Sequence, residues 1–370
     1  MKSAERSKSI IRTSVIGIAA NILLAAFKGL VGLLASSVAI IMDGVNNLSD
    51  VLSSVITIIG TKLSQRPADL EHPFGHGRVE YFSAIIISVI VITAGVSSSV
   101  ESFKKLLHPT TPEYSMVTIA VIVVAILVKI VLGRYVKRQG EKLDSESLIA
   151  SGSDALFDAM ITFTTLVSAA VMLIWNISLD GILGLIISVY IVKAGIEMLS
   201  RPVNELLGSR FPQELVSQIK QEVMSFDKVQ GVFDIILHNY GPELMIGSLH
   251  ITIPDDMTAY EIHGLTREIS QRMFTKFGII LTIGVYASST SDKKRGELQN
   301  IVFKACKEHK EILQSHGFYY NEKENSVSVD IVPCVSVKDE QALAACLHDE
   351  LCNLLPGYTV YIVVDHNYSE

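Results

Sequence analysis

The sequence predicts an all-α membrane domain of six transmembrane helices, followed by an α+β cytoplasmic part of ferredoxin-like order. Three observations carry this. The 370-residue chain is 49% hydrophobic and 19% charged, with a mean hydropathy of +0.40, which is more apolar than an ordinary soluble domain. Charge is segregated: residues 1–207 are nearly neutral, and residues 208–370 hold the acidic excess behind the net charge of −7. Apolar runs long enough for a hydrocarbon core of ~30 Å recur six times in the first 200 residues. This composition excludes a disordered chain or one that coats nucleic acid, and no nucleic-acid partner is expected.

The six spans fall near 10–35, 38–63, 80–103, 114–136, 147–176 and 180–200. The third and fifth contain long charge-free cores, Tyr81–Val100 and Ala159–Leu179. Charges interrupt or bound the other four, including Lys28, Asp43, Asp50 and Lys129. Lys2, Arg6, Lys8 and Arg12 before the first run resemble a signal peptide, but further apolar segments follow it, so the run reads as a retained first span. Arg66, Arg78, Arg134, Lys137, Arg138, Lys142 and Arg201 fall on the same side as those residues if the N-terminus is cytoplasmic. Both termini are therefore expected in the cytoplasm of a cell in whose membrane the chain lies.

After Pro202 the pattern changes. A helix over 212–225, strands over 232–239 and 245–254, a helix over 259–277 and a strand over 279–286 give the order of a ferredoxin-like unit. The polar stretch Ser288–Gly296 reads as a linker. The same order is expected again, with a helix over 297–316, strands over 318–321 and 326–333, a helix over 338–354 and a strand over 358–365. The predicted domains are thus 1–207, 208–290 and 297–370, with 291–296 between the last two. The cysteines Cys306, Cys334, Cys346 and Cys352 form no CxxC pair and read as free thiols in a reducing compartment.

Ionisable groups inside a bilayer cost several kcal/mol and face a cavity, a partner or an ion. The second span reads MDGVNNLSDVLSS and the fifth SGSDALFDAM. Asn46 and Asp50, and likewise Asp154 and Asp158, are four residues apart, so each pair shares one helix face. The two spans run in opposite directions, which predicts that Asn46 levels with Asp158 and Asp50 with Asp154. Three carboxylates gathered in this way repel unless a cation or protons neutralise them. Competition between a divalent ion and protons for the same oxygens is a physical basis for exchange transport. An all-oxygen donor set suits hard ions; magnesium sheds its waters reluctantly, which leaves Mn(II) first and Fe(II) second, and zinc sites commonly recruit imidazole or thiolate. Asp43, on roughly the same face, either lines the path or bonds a neighbouring helix.

These residues, together with the loop HPFGHGRVEYF at 72–82, resemble the cation diffusion facilitator family of divalent-metal/proton antiporters. The resemblance covers residues 1 to about 290. It implies a homodimer, formed through the cytoplasmic domain, that exports divalent metal by alternating access against an inward proton gradient. The transport site falls by position on Asn46, Asp50, Asp154 and Asp158. Zinc-transporting members usually place a His among these four, and its absence here looks like the manganese-exporting branch. Some members of that family bind a second metal in this loop at positions matching Asp69, His72 and His76, but the glycines and His76 can instead shape the loop and its packing. Arg78 and Glu80 read as salt-bridge or gating residues. An Asp that members often carry after the sixth helix is replaced by Gly208. His250 and His263 match two positions of a cytoplasmic zinc site, but Phe233 and the GVYAS segment replace others, so a complete binuclear site is not expected.

Other readings are zinc or iron efflux by the same mechanism, a non-transporting membrane metal sensor, and an intramembrane aspartyl hydrolase. The last needs a proton-sharing dyad, and four ligands with the GHGR-E loop fit a metal path better. No enzyme activity and no cofactor are expected. The expected partners are the divalent ion, protons, the lipid bilayer and a second copy of the chain.

Overall fold

The computed structural model describes residues 3–34, 38–107, 116–175, 180–241, 244–288 and 291–366. It divides into two compact units, Met1–Ser209 with Asn239–Glu243, and Arg210–His238 with Leu244–Glu370.

The first unit is built on α1 (Ser3–Leu34), α2 (Val38–Ser64), α3 (Val79–Leu107), α4 (Met116–Leu143), α5 (Glu146–Trp175) and α6 (Asp180–Leu207). They run past the apolar segments that predict them, because the backbone stays helical into polar ends such as Arg6 in α1 and Lys142 in α4. Among the described residues, α1, α3, α4 and α6 contain stretches long and apolar enough to cross a membrane. The two remaining helices, α2 and α5, carry the aspartates. Residues 35–37, between α1 and α2, and 176–179, between α5 and α6, lie outside the described residues.

Helices α4 and α5 form a tight antiparallel hairpin. Asp144 takes a positive φ of 50°, and the Ser145 N–H returns to the Gly140 carbonyl at 2.9 Å. A Cβ at Gly140 would lie 2.7 Å from the Ile149 backbone N, and one at Gly152 would lie 2.5 Å from that of Lys137. Only glycine allows this approach, the usual role of small residues where membrane helices meet. At the start of α1, Arg6 forms a bidentate pair with the buried Glu80 of α3, both bonds at 2.9 Å. The same guanidinium donates to the Leu143 and Asp144 carbonyls at 2.7 and 2.8 Å, so it joins α1, α3 and the end of α4.

The second unit contains two three-stranded sheets. In the first half, α7 (Gln213–Met224), β1 (Gly231–Asn239), β2 (Met245–Pro254), α8 (Ala259–Phe277) and β3 (Ile279–Ser288) give the strand order β1-β2-β3. Strands β2 and β3 are parallel, with Met245 opposite Ile279 and Pro254 opposite Ser288, as a crossover through α8 requires. Thr258 caps α8 in a reciprocal box with Glu261, and Gly278 ends it in the left-handed region at φ 70°. Alternate residues of β2, Leu249, Ile251 and Ile253, point inward against Ile219 and Val223 of α7 and Ile269 and Met273 of α8. Each such fully buried aliphatic side chain contributes roughly 1.5–3 kcal/mol.

The second half repeats the plan with α9 (Lys293–Glu308), β4 (Ile312–Asn321), β5 (Ser326–Pro333), α10 (Glu340–Leu354) and β6 (Thr359–Val364), in strand order β4-β5-β6. Its own core joins Val302 and Cys306 of α9, Leu347 and Leu351 of α10, and Val327, Val329 and Ile331 of β5. Two expectations are corrected here. The helix expected over 297–316 stops at Glu308, and residues 312–316 are the start of β4, paired with Asp330–Pro333 of β5. Glu, Lys and Gln in that stretch favour a helix, but the ladder with β5 overrides the local preference. The linker is also shorter than Ser288–Gly296, because β3 runs through Ser288 and Asp292 caps α9 by accepting the Arg295 N–H at 2.9 Å.

Candidate metal centre

The aspartates of α2 and α5 meet around a lysine. Lys129 of α4 has a side chain only 6% exposed, and its Nζ donates to Asp50 Oδ2 at 2.9 Å and to Asp158 Oδ2 at 2.6 Å. Asp154, one turn earlier on α5, accepts from the Ser53 hydroxyl of α2 at 3.2 Å. Asp50 is thereby grouped with Asp158, one turn away from the predicted Asp50–Asp154 level. Asn46 and Asp43 belong to α2, but their side chains lie outside the described residues. Counted as ionised, three carboxylates and one ammonium leave −2, the charge of one divalent cation. All the donors offered to such an ion are oxygen.

Sequence reasoning treated Lys129 as an interrupting charge and missed its place in the site. The hairpin register that places it there is fixed by helix–helix contacts and not by any local pattern in the sequence. Gly140 abuts Ile149 and Gly152 abuts Lys137, so each pair of numbers adds to the same total, and that register sets Lys129 close to Asp158. Ser53 was missed as well, since a hydroxyl in a span carries little signal until the facing helix is known.

The loop after α2 brings Asp69, His72 and His76 together, with one ligand atom from each within 4.8 Å of the others. Asp69 Oδ1 accepts the His72 backbone N–H at 2.7 Å and lies 3.3 Å from His72 Nδ1; its Oδ2 lies 3.6 Å from His76 Nε2. Mainly through that backbone bond, the Asp69 carboxyl is held below its ordinary value. Such a set of one carboxylate and two imidazoles can hold a transition metal. Arg78 donates to the Asn239 carbonyl at 3.0 and 2.8 Å and stacks on Tyr240, and Glu80 is fully engaged by Arg6.

In the second unit His250 of β2 and His263 of α8 have different surroundings. His263 is exposed. His250 stacks on Tyr286 of β3, and its Nδ1 donates to Asp234 Oδ2 of β1 at 2.8 Å. Burial would raise the Asp234 carboxyl, but His250, His316 and the Tyr286 hydroxyl outweigh it and hold the group well below the carboxylate range. A second group of potential ligands among the described residues, Asp234, His316 and Asp365, draws on three strand regions distant in sequence, and sequence reasoning assigned it no chemistry.

Two family models match the chain: a cation efflux transmembrane domain over residues 14–207, and the cytoplasmic domain of cation efflux proteins over residues 211–285. Among similar proteins, an uncharacterized transporter of Methanocaldococcus jannaschii is 30% identical over 70% of this chain and 91% of its own length. The manganese efflux system protein MneP of Bacillus subtilis is 25% identical over 77% of this chain and 98% of its own. The cation-efflux pump FieF of Serratia proteamaculans is 27% identical over 65% and 80%. With its helical multi-pass membrane domain, the small mixed sheets that follow and the transmembrane model matched over more than half its length, the chain belongs to the cation efflux family, the cation diffusion facilitators.

Proposed function

We propose that this protein exports Mn(II) from the cytoplasm in exchange for protons, using Asn46, Asp50, Asp154 and Asp158 as the transport site. The observation that carries the reading is the buried group on α2, α4 and α5, where Asp50 and Asp158 share the Lys129 ammonium and Asp154 lies one turn away. Carboxylates held this deep in a helical membrane domain require a cation, and Lys129 neutralises one of three. An ion of charge +2 balances the remainder, and protons compete with it for the same oxygens. Oxygen-only donors favour Mn(II) over the nitrogen- and sulfur-seeking zinc, and similarity to the manganese efflux system protein MneP points the same way. The residues Asp69, His72 and His76 would hold a second ion near the cytoplasmic mouth. Asp43, Arg78 and Glu80 are read as pathway or gating positions. The protein works as a homodimer joined through its cytoplasmic domain, in the cell membrane, with both termini in the cytoplasm.

The test is flux through purified protein in sealed vesicles. Asp50→Ala and Asp154→Ala each abolish Mn(II) transport driven by a pH gradient, and unchanged transport in either variant overturns the site. Parallel measurements with Zn(II) and Fe(II) decide the metal: zinc flux exceeding manganese flux reverses the assignment.

A further inference from the structure

We propose that Asp234, His316 and Asp365 form a divalent-cation site that ties the two α/β halves of the second unit together. It lies apart from the transport reading and does not depend on it. Asp234 belongs to β1 of the first half. His316 belongs to β4 of the second, and Asp365 follows β6. The family match ends at residue 285, so two of the three ligands come from a segment beyond it.

His316 is the central observation. Its side chain is 1% exposed, and the ring is sandwiched against Phe233 with centroids 4.9 Å apart. A buried imidazole nitrogen without a hydrogen bond is costly, yet neither ring nitrogen of His316 has an aligned hydrogen-bond partner. Nε2 nonetheless lies 2.9 Å from Asp234 Oδ1 and 3.8 Å from Asp365 Oδ2. At 2.9 Å the Asp234 oxygen is close enough for a hydrogen bond but sits off the ring's N–H direction. That offset is wrong for a hydrogen bond and right for a shared ion. A metal sits on the nitrogen lone pair, and its other ligands stand to the side of that axis. With metal–ligand bonds of about 2.0–2.2 Å, tetrahedral ligand atoms are about 3.3–3.6 Å apart, a range that the two distances bracket.

The surroundings hold the ligands as a metal site needs. Asp234 takes a positive φ of 54°, uncommon for a strand residue. Its Oδ2 accepts from His250 Nδ1 at 2.8 Å and from the Tyr286 hydroxyl at 2.9 Å, which leaves Oδ1 to face His316. The Asp365 backbone N–H is anchored to the Ile331 carbonyl at 2.8 Å, and its carboxylate, 30% exposed, opens the site to solvent. One imidazole and two carboxylates suit a cation of borderline softness such as Zn(II), Co(II) or Fe(II) better than Mg(II) or Ca(II). Such an ion would couple the position of the second half to the free cation level in the cytoplasm.

The test is titration of the chelator-stripped full-length protein with Co(II), followed by equilibrium dialysis and visible absorption. The unsubstituted chain binds one Co(II) that both His316→Ala and Asp365→Asn weaken at least about tenfold, the scale of losing a ligand-shell contact, and His316→Ala also loses that ion's absorption bands. Asp365→Asn changes one partly exposed atom, so it remains informative if His316→Ala fails to fold. Asp50→Ala loses a different equivalent and retains this one, which separates the result from the transport assignment. Unchanged Co(II) affinity in Asp365→Asn overturns the proposal.

Discussion

At the scale of the residue, Lys129 changes how the proposed transport site is understood. Its ammonium is a cation on a tether, shared by two of the carboxylates assigned to the metal. A metal entering between Asp50 and Asp158 must displace the ammonium or sit beside it, so the lysine is a built-in competitor. Removing it leaves two buried carboxylates facing each other without a counter-charge, a change that costs about 3–5 kcal/mol when one partner of a buried pair is lost. Lys129→Met is therefore expected to lower the melting temperature of the metal-free protein. Added Mn(II) restores it by a larger upward shift than the unsubstituted protein shows. A melting series against Mn(II) concentration checks this, and equal shifts in the two proteins would remove Lys129 from the site.

At the scale of the element, the α4–α5 hairpin sets the site, and its glycines are the parts most sensitive to change. Gly152→Ala drives a methyl into the Lys137 backbone at 2.5 Å, whereas Gly29→Ala on α1 meets nothing within 4 Å. Gly152→Ala is expected to cost about 1–3 kcal/mol through overpacking and to weaken Mn(II) binding by shifting Lys129 against Asp158. Gly29→Ala leaves both unchanged. Thermal melts and Mn(II) titration of the pair in one detergent check the contrast. The elements differ in how legible they were. The six apolar runs and the i,i+4 spacing of Asp154 and Asp158 stand in the sequence because they are local, with periods of one or two turns. Lys129 was not legible as a partner, because its relation to Asp158 runs through a hairpin register that only the glycine contacts fix. The beginning of β4 was misread for a related reason: residues 312–316 become a strand through pairing with β5, a nonlocal choice. Asp234, His316 and Asp365 are the extreme case, three residues separated along the chain and joined only by the packing of two sheets.

At the scale of the whole molecule, the basic residues between the spans are the basis for proposing that the second unit faces the cytoplasm, where its acidic excess would raise the local concentration of cations. The cysteines allow this to be tested without foreign tags, because all four lie beyond residue 300. Cys346 is exposed on α10, whereas Cys306 is buried in the core of the second half. Burial pushes the Cys306 thiol up to about 11, against a weaker lowering by Ser315, so little of the reactive thiolate exists near neutral pH. A membrane-impermeant maleimide should then modify Cys346 quickly in inside-out vesicles and leave it unmodified in intact cells. Cys306 should remain unlabelled in both until the protein is denatured, when it reacts as fast as the others. Peptide mass spectrometry after labelling reads each site separately. Labelling of Cys346 in intact cells would place the second unit outside and reverse the direction of transport inferred for the whole protein.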